Sequence, residues 1–272
     1  RDPFTLTTGG SLIVSNPIAA VDNATLSLIN PNTSTGNIVL NSSISSAGQI
    51  ITVDGVVQVG GLGGSIATTN GVSTGANIIL NSPLGSLSGA GTLSLDSGTT
   101  GLIQATTGIS MTGGITITNS GGANFTKAVS TGALSILATT SGKDVAFNGT
   151  LNAASLNTST GAFNLKILSG GNITGATTLN NTGTTTLGDQ TTDALTFAAG
   201  LTANSSSLLN LAGTIATTNN AMNLGNSVLT TNTILQSGSG TITTGSVTGG
   251  AGIKLSLQNN LAIGAVNLTG NV

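Results

Sequence analysis

The sequence predicts an all-β protein, a right-handed parallel β-solenoid (β-helix) with coils of roughly 20 residues. Three observations predict it: a near-absence of charge, short alternating strands punctuated by Gly, Ser, Asn and Thr, and self-similarity along the sequence.

Charge sets the frame. Of 272 residues five are basic and seven acidic, all seven Asp, and there is no Glu, His, Cys, Trp or Tyr. Charged residues make up 4%, against about 25% in an ordinary globular domain. Disorder goes with low hydrophobicity and high net charge, whereas this protein is 38% hydrophobic with a net charge of −2. Soluble helices need Glu, Lys, Arg or Gln on their wet face, and almost none are available. Thr, Ser, Asn, Val and Ile suit strands and turns instead. The apolar residues come in short clusters, far from the ~18 in a row that a transmembrane helix requires. No transmembrane segment is expected.

The strands follow in order: Ser11-Leu12-Ile13-Val14, Thr25-Leu26-Ser27-Leu28-Ile29, Asn37-Ile38-Val39-Leu40 and Gln49-Ile50-Ile51-Thr52-Val53. Later come Thr92-Leu93-Ser94-Leu95, Ile115-Thr116-Ile117-Thr118, Phe163-Asn164-Leu165-Lys166-Ile167, Ile253-Lys254-Leu255-Ser256-Leu257 and Val266-Asn267-Leu268. Turn segments such as Gly60-Gly61-Leu62-Gly63-Gly64 and Ser237-Gly238-Ser239-Gly240 separate them. Period-2 alternation places Asp54, Asp96, Lys166 and Lys254 opposite their aliphatic neighbours, so these charges point outward.

Self-similarity turns a set of strands into a coil. Ser34-Thr35-Gly36-Asn37-Ile38-Val39-Leu40-Asn41-Ser42 returns as Ser73-Thr74-Gly75-Ala76-Asn77-Ile78-Ile79-Leu80-Asn81-Ser82, and more loosely as Ile115-Thr116-Ile117-Thr118-Asn119-Ser120. The spacing near 40 reads as two coils of roughly 20 residues. Parallel stacking sets like above like, which suits Asn, Thr and aliphatic files and repels stacked like charges. One domain spanning 1–272 is expected, with residues 1–10 (Arg1-Asp2-Pro3-Phe4 at their head) as an amino-terminal cap or docking segment. The carboxy-terminal stretch Leu261–Leu268 keeps the strand pattern without a capping element.

These runs, joined by Gly/Ala/Ser/Thr segments, resemble the filamentous-haemagglutinin and autotransporter-passenger β-helices and the β-strand repeat surface proteins of bacteria. The resemblance covers the whole sequence in style. It implies secretion to the bacterial cell surface or extracellular space and a role as fibre, stalk or adhesin.

Chemistry is sparse. General acid–base and nucleophilic catalysis need a His, a tuned carboxylate pair or a thiol with a base. The one close carboxylate pair is Asp189 and Asp193, read as an exposed turn rather than a glycosidase pair. Asp22 with Asn23 reads as a backbone-capping turn rather than a calcium site, and Lys143-Asp144 as a solvated turn pair. The triplets Asn23-Ala24-Thr25, Asn41-Ser42-Ser43 and Asn148-Gly149-Thr150 carry no weight as glycosylation sites in so Asn-rich a sequence. Thr116-Ile117-Thr118 and Thr241-Ile242-Thr243 are too sporadic for a threonine array and reflect strand propensity. Five basic residues argue against nucleic acid. No catalytic, cofactor or metal residue is assigned. The reading is a non-enzymatic structural protein of a bacterial cell surface or extracellular matrix, stacking head to tail with itself. The alternative is an adhesin segment presenting loops to a host or carbohydrate ligand.

Overall fold

The computed structural model describes residues 3–21, 24–31, 36–82, 86–259 and 264–271. The described residues contain no helix. The protein is a β-solenoid of parallel strands with about 22 residues between stacked positions. It divides into two compact units, Arg1–Lys143 and Asp144–Val272.

In the first unit each rung of the coil has three faces. Phe4–Thr7, Leu26–Ile29, Ile51–Asp54, Ile78–Asn81, Ile103–Ala105 and Ala123–Phe125 stack on the first face. Leu12–Val14, Ile38–Leu40, Val57–Val59, Ser86–Gly89, Gly108–Met111 and the start of Val129–Ile136 form the second. Ile18–Ala20, Ser43–Ser46, Gly64–Ala67, Leu93–Asp96, Ile115–Asn119 and the end of Val129–Ile136 form the third. The second unit repeats the plan. Its first face runs through Asp144–Phe147, Asn164–Ile167 and Thr184–Leu187, then the long strands Leu208–Thr217 and Ser227–Gly238, which bend onto the second face. Its third face stacks Thr177–Thr178, Leu201–Ala203, Met222–Leu224, Ile242–Thr244 and Val266–Leu268.

The register makes the core. Leu26, Ile51, Ile78 and Ile103 lie one above another on the first face, and Ile44 and Ile66 on the third; all are fully buried. In the second unit Val145 stacks on Leu165 and Phe147 on Ile167. Each rung has too little apolar surface to fold alone and is stabilised by burying it against its neighbours. Asp54, Asp96 and Lys166 occupy the alternate, outward parity of their strands, and Lys254 is exposed.

The repeat near 40 residues has a different meaning from the one its spacing suggests. Ile38–Leu40 lies on the second face, Ile78–Asn81 on the first and Ile115–Asn119 on the third. The copied segments therefore never stack on one another. The duplicated unit is a strand with its flanking turn, which fits any face because each offers the same half-buried environment.

Corners carry the rest of the structure. At the corner between the second and third faces of the first unit, successive backbones come too close for side chains. A Cβ on Gly91 would lie 1.9 Å from the Gly60 carbonyl oxygen, and one on Gly113 would lie 2.0 Å from that of Gly91. Gly91→Ala is expected to cost about 1–3 kcal/mol by overpacking. Gly61→Ala, with nothing within 4 Å of its Cβ position, is expected to be near neutral. Urea unfolding midpoints of the two variants measure the contrast.

Candidate functional site

At the end of the third face of the first unit, Ser46, Thr68, Ser97 and Ser120 are fully buried. Each hydroxyl is used. Ser46 Oγ donates to the Gln49 carbonyl, Ser97 Oγ to Gly101 O (2.8 Å) and Thr68 Oγ1 to Ala76 O (2.8 Å), while Ser120 bonds Thr139 (2.9 Å). Thr217 and Ser237 do the same in the second unit, donating to Asn220 O (2.6 Å) and Gly240 O (2.7 Å). At most of these corners a neutral hydroxyl thus bonds a nearby backbone carbonyl.

Asn side chains fasten one rung to the next. Asn77 Oδ1 accepts the Leu102 N–H at 2.9 Å. Asn152, Asn226 and Asn232 accept those of Asn172 (3.0 Å), Ser246 (2.9 Å) and Lys254 (2.9 Å). Asn219 adopts φ +57° and accepts the Ser239 N–H, a left-handed turn that Asn tolerates better than most residues. These asparagines act as backbone-carbonyl substitutes.

Asp189 and Asp193 lie together on one turn. Asp193 Oδ2 accepts the backbone N–H groups of Asp189 and Gln190, each at 2.8 Å, and closes an exposed turn. Partial desolvation, then the charge of Asp193 and a hydrogen bond shared with it, raise the Asp189 carboxyl above its ordinary value. Asp144 begins a strand, and its carboxylate holds Asn164 Nδ2 (2.9 Å) and Lys166 Nζ on the neighbouring rung. Asp22, Asn23, Arg1 and Asp2 lie outside the described residues. No group of three or more His, Cys, Asp or Glu occurs among the described residues.

Three features escape a reading of sequence alone. Ser43, Ser65, Ser94, Thr116 and Ser135 stack in register as one outward hydroxyl file. An open polar groove of about 500 Å³ runs beside it, lined by Asn41, Ser42, Thr92 and Ser94, with Leu62 (89% exposed) at its edge. Thr185 is fully buried between Leu165 and Leu209, held by Asn181 Nδ2 (3.0 Å) and Ser206 (2.6 Å). Its strand, Thr184-Thr185-Thr186-Leu187, carries too few apolar residues to announce which face turns inward.

The first and last described rungs differ from the interior. Phe4 stacks on buried Leu26 yet is 49% exposed, beside an apolar recess of about 190 Å³ lined by Ile18, Ala20, Ala24 and Leu26. Val266 and Leu268, stacked on Ile242 and Thr244, are 36% and 45% exposed. No protein-family model, curated protein or solved structure matches this sequence or fold.

A raised carboxyl binds its proton more tightly in the folded state. The stability it contributes is present below its unfolded pKa and lost as pH rises through the folded one. Asp189→Asn is therefore expected to stabilise the protein slightly at neutral pH, with the gain vanishing on acidification. Thermal midpoints of both proteins across the carboxylate range check the sign.

Proposed function

We propose that this is a non-enzymatic structural protein of a bacterial cell surface or extracellular matrix, whose coils stack end to end into a fibre. The observation that carries this reading is in-register parallel stacking, by which each rung buries its core residues against the next. A rung of one copy set on a rung of another would make a heterologous contact that extends rather than closes. The scarcity of charge supports the same reading, because repeated stacking penalises like charges set one above another.

The groove beside Leu62 favours a second reading, an adhesin segment that takes a neutral host or carbohydrate ligand through hydroxyl and amide groups. The two readings part at the level of assembly. Electron microscopy of the purified protein at high concentration, without ligand, is expected to show long unbranched filaments. Isolated short particles at every concentration would overturn the fibre and leave the adhesin.

A further inference from the structure

Asn70 and Gly71 form the exposed tip of a turn that the Val72 N–H closes onto Thr69 O at 3.1 Å. The Asn70 backbone is anchored, its N–H donating to Ser46 O at 3.0 Å. Its side-chain amide has no hydrogen-bond partner among the described residues, and neither has the Gly71 N–H. Gly71 has φ +79°, and nothing lies within 4 Å of where its Cβ would stand. A free side-chain amide, a free backbone nitrogen one residue on, and open space around both are what intramolecular cyclisation requires.

We propose that Asn70 is a site of spontaneous deamidation. The Gly71 nitrogen attacks Asn70 Cγ, the Cγ–Nδ2 bond of Asn70 breaks, and ammonia leaves carrying the Gly71 proton. Water then opens the five-membered succinimide at either carbonyl, leaving Asp or an isoaspartyl linkage at position 70. Water is the only co-reactant.

The fold, beyond the dipeptide, selects this position. The other Asn-Gly pair, Asn148-Gly149, is tied to the next rung by the Ser169 hydroxyl, which donates to the Asn148 carbonyl. The corner asparagines 77, 152, 226 and 232 have their side-chain oxygens engaged by backbone N–H groups. The new carboxylate would arise next to Thr69, whose hydroxyl donates to Asp96 Oδ2 at 2.9 Å. Deamidation therefore sets a new negative charge one residue from the hydroxyl that Asp96 holds.

The test is peptide mapping by mass spectrometry of the full-length protein held at mildly alkaline pH, with enzymatic detection of isoaspartate. In the folded protein, acid and isoaspartyl products are expected at residue 70 several-fold faster than at residue 148. In denaturant the two rates are expected to converge. Asn70→Ser, its fold checked by the unfolding midpoint, is expected to lose the isoaspartyl signal. Equal or faster reaction at Asn148 in the folded state, or an intact Asn70 there, would overturn the proposal.

Discussion

Within each unit, parallel in-register stacking is the constraint on which the rest depends. Paired strand residues stand over their counterparts at the ~4.8 Å separation of neighbouring strands, so whatever one rung does chemically the next must accept. Apolar residues profit from this. Leu26, Ile51, Ile78 and Ile103 build a continuous, fully buried file. Charges do not profit, and among the described residues the one ion pair, Asp144 with Lys166, joins opposite signs on adjacent rungs. The rarity of charge in the composition is the same rule seen along the whole sequence.

A stack so poor in charge must satisfy its corners by other means. Helical proteins end their elements with charged and capping side chains; here buried Ser and Thr hydroxyls turn back onto carbonyls, and Asn amides reach the next rung's N–H groups. Each such bond contributes about 1 kcal/mol net, and each would cost more than that if its partner were left buried and unpaired. Glycine completes the set where corner backbones nearly touch, as at Gly60, Gly91 and Gly113. Stability is thus spread over many small neutral contacts between adjacent rungs, as expected of a quasi-one-dimensional fold.

The fold class was legible because its causes are local. Alternation in Phe163-Asn164-Leu165-Lys166-Ile167 requires a strand with Lys166 outward, and the absence of Glu with only four Lys argues against helices. What could not be read was register, because strand-to-strand alignment depends on corner lengths that no short motif encodes. For that reason the copies at Ile38, Ile78 and Ile115 look like a coil period yet lie on three faces. Thr185, inward among threonines, and the outward file from Ser43 to Ser135 are invisible for the same reason: each exists only once the rungs are aligned. Asp189 and Asp193 were readable as a turn, but the partner of Asp144 was not, since Lys166 is near it only across rungs.

A fibre-forming role would follow from the same constraint, since a surface that buries one rung on the next can bury one copy on another. The constraint itself is open to direct measurement by a double-mutant cycle on an outward, in-register pair, Ser27 and Thr52. The account predicts that Ser27→Lys and Thr52→Lys are each nearly neutral, that together they destabilise beyond their sum, and that Lys at 27 with Asp at 52 reverses the sign of the coupling. Additive effects in both combinations, read from denaturant unfolding at low salt, would contradict in-register stacking.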